Sequence, residues 1–166
     1  MALKADRYEE STDISYFSSA TGVKGAVVCL DAAALAGASG AALDQGENTV
    51  SPQTAAVTDV PAGIILNDVV NKDLTRTHLN QYKDEVQLGG KVTVLTRGWV
   101  VTDQVTGSPK AGDPAYASTT AGEIDGEAAD AEASGNLSIG RFMSKKDADG
   151  YIKVYINLPN HGGTTP

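Results

Sequence analysis

A strict alternation of apolar and polar side chains near the end of the sequence constrains the fold more than any other feature. From residue 151 to residue 158, every second side chain is aliphatic, and tyrosine, lysine or asparagine occupies the positions between. The aliphatic residues are Ile152, Val154, Ile156 and Leu158. A period of two is the repeat of a β-strand, whose successive side chains point to opposite faces. We therefore predict a strand with one buried face, paired with residues 137–144 in a terminal hairpin.

Several earlier segments carry the same signature of a β-strand. The predicted strands are residues 23–30, 49–60, 63–70, 91–96 and 99–102, followed by a short strand through residue 116. The first of them is almost continuously apolar, which predicts burial on both faces. Between two others, Val-Pro-Ala-Gly at residues 60–63 is typical of a turn. With 18 glycines and many valines and threonines, the composition favours short strands and tight turns, and the fold class is predicted to be mainly β.

Charge and cysteine content exclude several classes of protein. The formal net charge of −8 argues against binding to nucleic acid or to an anionic membrane, because both need a basic surface. No segment approaches the roughly 18 apolar residues of a spanning helix, and the first residues lack the apolar core of a signal peptide. Cys29 is the only cysteine, which fits synthesis in a reducing cytoplasm. Aromatic residues make up only 5% of the chain, so the core is predicted to be thin.

Three regions are expected along the chain. Residues 1–20 are predicted to form an extended N-terminal arm, residues 21–158 a single β domain with long loops, and residues 159–166 a flexible tail. Within the arm, Ile14, Tyr16 and Phe17 form a short apolar island in polar surroundings. Apolar residues in an extended polar arm need a partner to bury them, so these three are the predicted anchors. The alternative is an ordinary frayed terminus.

No set of residues that would support catalysis or bind a metal is evident. Asp147, Asp149 and Gly150 resemble part of a calcium loop, but the twelfth position of such a loop would be Leu158, which cannot bind calcium. A hairpin turn at Asp149-Gly150 explains the same residues. The acidic stretch at residues 121–135 is predicted to be a solvated loop. We therefore expect no catalytic residues, no metal and no cofactor.

Four segments of the C-terminal half resemble a known family. In order, the segments are VTVLTRGWV at residues 92–100, KAGDPAY at 110–116, IGRFM at 139–143 and DGYIKV at 149–154. An earlier PAGI at residues 61–64 adds to the pattern. This succession resembles the capsid decoration, or cement, proteins of tailed phages, and the resemblance covers roughly residues 55–158.

The resemblance implies a small β-barrel or β-tulip-like domain on the outer surface of an icosahedral phage head. It implies binding across neighbouring subunits of the major capsid protein, association of the chain with itself as a homotrimer, and no enzymatic activity. Members often pair their N-terminal arm with a strand of the capsid protein. The protein would then be made in the host cytoplasm and become part of the virion, with no nucleic-acid or membrane partner.

Other functions remain open on the sequence alone. Another virion component, such as a head fibre or a tail domain, would share this glycine-rich β composition. A carbohydrate-binding module would need exposed aromatic residues, for which Trp99, Tyr116, Tyr151 and Tyr155 are the candidates. The same four residues are equally suited to contact a partner protein or a second subunit. An enzyme is the least supported alternative.

Overall fold

The computed structural model describes residues 3–30, 48–52, 60–69, 85–86, 88–126 and 137–158. These residues form thirteen β-strands and contain no helix, which confirms the mainly β prediction. The strands are β1 (Tyr8–Asp13), β2 (Phe17–Ser18), β3 (Gly22–Val23), β4 (Val27–Leu30), β5 (Thr49–Pro52), β6 (Val60–Val69), β7 (Glu85–Val86), β8 (Lys91–Thr102), β9 (Val105–Thr106), β10 (Pro114–Ala117), β11 (Ile124–Asp125), β12 (Ser138–Phe142) and β13 (Ile152–Asn157). Within this described part, no helix is available that could span a membrane.

One long strand, β8, organises the main sheet. The order of the sheet is β2-β5-β4-β6-β8-β13-β12-β10-β11-β9, and β1 joins it by pairing with β8. Along one edge, β8 pairs first with β6, through residues up to Leu95, and then with β13, from Arg97 onwards. The opposite edge pairs with β1 and, at Lys91, with β2. Four strands therefore depend on β8 for their main-chain hydrogen bonds.

Two apolar clusters lie on opposite sides of the central strands. The neighbours Val94 and Leu95 belong to different clusters, and the same is true of Val27 and Val28. Successive side chains of a strand point to opposite faces, so both faces of β4 and β8 are buried at these positions. This burial confirms the two-sided burial predicted from the apolar run at residues 23–30, of which residues 27–30 are the strand β4.

The predicted turn at residues 60–63 is wrong, because β6 runs through this segment without a break. Its pairing with β4 shifts register there: Cys29 lies opposite Pro61, whereas Val28 lies opposite Gly63. Ala62 is thus an extra residue, and the irregularity is a β-bulge. Proline is tolerated in a sheet at strand starts and bulges, so the Pro-Ala-Gly signal marked a bulge rather than a turn.

The sheet is not a closed barrel, which corrects the expectation of a small barrel. Strand β2 pairs with β5 and also with β8, although its pairing with β8 is limited to Phe17 opposite Lys91. Through these two pairings, one group of strands closes into a ring at that single residue pair. From β8, however, the sheet continues in the other direction as far as β9. The predicted loops at residues 31–47 and 71–84, most of the acidic stretch, and the tail at 159–166 lie outside the described residues.

The N-terminal segment is extended, as predicted, but β1 pairs with β8 of its own chain. The pairing of β1 with β8 includes Gly98, where the two backbones come very close. The φ of Gly98 is +137°, and an added Cβ would collide with the Tyr8 carbonyl oxygen. Leu3 is buried in the larger of the two clusters and makes a further bridge to Thr102. Main-chain pairing and one buried leucine thus attach residues 3–13 to the sheet.

We expect Gly98→Ala to detach β1 from the sheet and to destabilise the protein. A side chain at this φ costs about 1–3 kcal/mol, and its Cβ would also collide with the backbone of β1. Thermal unfolding, with amide hydrogen exchange of residues 8–13, measures both effects. Gly112→Ala is the matched control, because Gly112 also has a positive φ (+99°) but has open space around it. Equal unfolding temperatures of the two variants would contradict this account of β1.

Candidate functional site

Most of the aromatic residues that the structure describes lie outside the fully buried core. The core consists of aliphatic side chains, and Phe142 is the one aromatic residue buried in it among the residues described. The only tryptophan, Trp99, is half-buried, as is Tyr155, and Tyr8 is 54% exposed. Large aromatic side chains give the most apolar burial per residue, so a chain with few of them would be expected to use them inside. Their position at the surface points to contact with a partner.

Four of the surface side chains form a row across the sheet. Tyr8 on β1 lies opposite Trp99 on β8, Trp99 opposite Tyr155 on β13, and Tyr155 opposite Arg141 on β12. Directly opposed residues have their side chains on the same face of a sheet. We call Tyr8, Trp99, Tyr155 and Arg141 the outer row.

The two-residue period of the strands explains why the outer row faces away from the core. Trp99 precedes Val100 on β8, and Tyr155 lies between Val154 and Ile156 on β13; the three aliphatic residues are completely buried. Because the inward positions are occupied by these aliphatic side chains, the alternate positions must face outwards. The same alternation that builds the core therefore builds the outer row.

Charged side chains surround the aromatic rings of the outer row. The ammonium nitrogen of Lys153 lies 3.4 Å from the centroid of the Trp99 ring, a cation–π contact. One carboxylate oxygen of Glu10 is 3.4 Å from Nε of Arg97 and 3.4 Å from the hydroxyl of Tyr155, which donates to it. The pKa of Arg97 is raised, first by its hydrogen bond with Tyr155 and then by the charge of Glu10.

A second group of contacts lies where the N-terminal segment meets the β12–β13 hairpin. Nζ of Lys4 donates to the Asp147 carboxylate (3.0 Å) and lies 4.1 Å from the centroid of the Tyr151 ring. The other oxygen of Asp147 accepts from the main-chain N–H groups of Asp149 and Tyr151. With the bond from the Gly150 N–H to the Asp147 carbonyl oxygen, they form a turn over residues 147–150, one residue earlier than the predicted turn at Asp149-Gly150 and inside a longer loop between β12 and β13. They also show that Asp147 orders the hairpin.

The four predicted contact residues are only partly brought together. Trp99 and Tyr155 are neighbours in the outer row, whereas Tyr151 immediately precedes β13 and lies beside Lys4. Tyr116 is separate, on β10, opposite Ser138 and Asp125. Sequence reasoning missed Tyr8 and Arg141, because only the strand register places them beside Trp99 and Tyr155. The alternation on β13 was the one available signal.

The three predicted arm anchors lie in different surroundings. Tyr16 packs against the smaller apolar cluster, and Phe17 is half-buried in β2 with the Lys91 ammonium 5.7 Å from its ring centroid. Ile14 is 54% exposed. Of the three, Ile14 is the residue with most of its apolar surface left for a partner. The assignment of all three to capsid binding stays a prediction.

Comparisons with known proteins agree with the resemblance seen in the sequence. The family model described as structural cement protein (E217 gp24/Pam3 gp6) matches residues 11–157, which is most of the chain. The chain belongs to this family of phage structural cement proteins. No curated protein matches its sequence. A similar fold occurs in a chain of the structure titled "The capsid of Myoviridae Phage XM1", with a TM-score of 0.54 and 17% identity over 95% of this chain and 88% of that one.

Membership of the cement family makes the chain a structural protein of the phage particle. It confirms the resemblance to decoration proteins, which the sequence motifs alone suggested. The family is defined by a structural role rather than by a reaction, so the site to be explained is a binding surface. The described residues contain no group of three or more His, Cys, Asp or Glu side chains that could hold a metal ion.

We expect the Asp147 carboxylate of this cement protein to make its stability sensitive to acid. The hydrogen bond from Lys4, followed by that from the main chain of Tyr151, lowers the pKa of Asp147 below its ordinary value of 3.8. A carboxyl group whose pKa is lowered by folding stabilises the folded protein when the pH is above the ordinary pKa. This stabilisation is lost as the pH falls through the folded-state pKa. Asp147→Asn should therefore unfold at a lower temperature than wild type at neutral pH, and this difference should shrink as the pH falls below 3.8 and through the folded-state pKa.

The control for this measurement is Asp149→Asn. The Asp149 side chain lies two residues away and makes no hydrogen bond among the described residues. Its substitution should leave the unfolding temperature at neutral pH nearly unchanged. A constant difference between Asp147→Asn and wild type at every pH would contradict the role of the ionised carboxylate.

Proposed function

We propose that this cement protein decorates the outer surface of an icosahedral phage capsid and stabilises it by binding across neighbouring major capsid subunits. Family membership supports a structural role in the particle. The observation that carries the proposal further is the outer row, in which the only tryptophan and two tyrosines lie together on one sheet face instead of in the core. Tyrosine, tryptophan and arginine are the residues that dominate the energetics of protein interfaces.

The proposed mechanism is linkage between binding and assembly. A protein that binds the assembled shell more tightly than free subunits shifts the equilibrium towards the shell by mass action. Many bound copies add their contributions, so a modest affinity per copy still gives a large stabilisation. No chemical reaction is required, and we propose that the protein is not an enzyme. The net charge of −8 would help to keep decorated particles apart in solution.

We also propose that the bound form is a homotrimer and that Ile14, Tyr16 and Phe17 take part in contact with the capsid. Ile14 is exposed at the bend between β1 and β2, where a neighbouring subunit can reach it. The remaining predicted contacts divide between the outer row, with Trp99 and Tyr155, and the more distant Tyr116 and Tyr151. Tyr16 and Phe17 would act mainly by holding the bend in place, because both already pack against the domain.

The test is to mix the purified protein with undecorated shells of its phage and sediment them. The wild-type protein should sediment with the shells to a saturating stoichiometry and raise the temperature at which they disrupt. Ile14→Ser should weaken binding by about tenfold, the effect of losing one well-buried aliphatic contact at 1–2 kcal/mol. Val60→Ser, at another exposed apolar position, is the matched control and should bind like wild type.

Two results would count against these proposals. If the wild-type protein stays in the supernatant with shells of every maturation state, decoration of the capsid is refuted. If it sediments and Ile14→Ser binds as tightly as Val60→Ser, the arm contact is refuted while decoration stands.

A further inference from the structure

The outer row carries a charge opposite to that of the chain as a whole. Three cations, Arg97, Arg141 and Lys153, and one anion, Glu10, lie on or beside it, which gives a local charge of 3 − 1 = +2. The whole chain has a formal charge of −8, so the remainder carries −8 − 2 = −10. A local excess of positive charge attracts a negatively charged partner and favours binding through this face.

Arg141 is the cation of this surface that has no partner of its own. Arg97 is engaged by Glu10, and Lys153 lies over the Trp99 ring. The Arg141 side chain is exposed and makes no hydrogen bond or ion pair within the described ranges. A guanidinium group presents a planar set of donors that matches a carboxylate in a two-bonded geometry. Arg141 is therefore placed to accept a carboxylate from outside the chain.

The contact between Lys153 and Trp99 favours a protein over a sugar as the partner of this surface. A sugar ring stacks on the open face of an aromatic side chain, but the ammonium group lies 3.4 Å above the Trp99 ring. A stacked sugar would have to displace this cation. An acidic protein surface would instead gain from it, because a carboxylate can approach the ammonium group while apolar atoms cover the exposed edges of the rings.

We propose that the outer row is the surface on which an acidic patch of the shell docks, with a carboxylate of the shell bound by Arg141. This inference rests on the proposed function, since it takes the shell as the partner. Beyond the proposed function, it states which face of the protein is turned towards the shell and that the contacted surface of the shell is negatively charged.

The experiment measures binding to undecorated shells by sedimentation for wild type, Arg141→Glu and Arg141→Lys. Arg141→Glu should weaken binding by about 30-fold or more, the usual consequence of removing one member of a buried charge pair. Arg141→Lys should retain most of the affinity. Lys110→Glu is the matched control: it makes the same change in net charge at an exposed lysine in the turn before β10 and should bind within about twofold of wild type.

The possible outcomes separate this inference from the proposed function. If wild type does not bind shells at all, the proposed function fails and this inference with it. If wild type binds and Arg141→Glu binds equally well, or if Lys110→Glu is weakened as much, the docking face is refuted while decoration stands.

Two further measurements would show that the outer row binds something other than the shell. If Arg141→Glu lowers the mass of the free protein without changing its affinity for shells, the outer row contacts a second copy, and the inference is overturned. If Arg141→Glu abolishes retention on dextran sulfate but leaves shell binding intact, the surface binds an anionic glycan, and the inference is again overturned.

Discussion

The two apolar clusters, the N-terminal segment and the outer row all depend on the pairing of β8 with four other strands. Along one edge, this twelve-residue strand pairs with β6 and then with β13. Along its other edge it pairs with β1 and β2. At Val94 and Leu95 both faces of the strand are buried, each in a different apolar cluster. A change in the path of β8 would therefore disturb both clusters, the N-terminal segment and the outer row together.

The placement of the aromatic residues follows from this architecture. Apart from Phe142, the buried side chains of the two clusters are small or aliphatic, and the large rings of the outer row occupy outward-facing positions of β1, β8 and β13. The register of β8 with β1 and β13 then aligns Tyr8, Trp99 and Tyr155 without any loop being involved. A binding surface built on paired strands is more rigid than one built on loops, so less ordering entropy is lost when a partner binds. Such rigidity suits a protein whose role is to hold other subunits in place.

Much of the fold could be predicted from the sequence, because β13 and β8 have a clear two-residue period and β4 a continuous apolar run. Sequence patterns of neighbouring residues predicted the wrong structure where the register between paired strands determines it. Pro61 and Gly63 are typical turn residues, yet they lie at a bulge, since pairing with β4 outweighs local preference. Register also explains the partial success at the site. The sequence predicts Trp99 and Tyr155 as contact residues, but nothing in it indicates that Tyr8, some ninety residues away from Trp99 in the chain, lies beside Trp99.

The central claim is that the face carrying the outer row is turned towards the shell. A cryo-electron microscopy reconstruction of shells saturated with the purified protein tests this claim most directly. The account predicts that Trp99, Tyr155 and Arg141 lie against density of the major capsid protein. A reconstruction in which these three residues face solvent, while another surface of the protein contacts the shell, would contradict it.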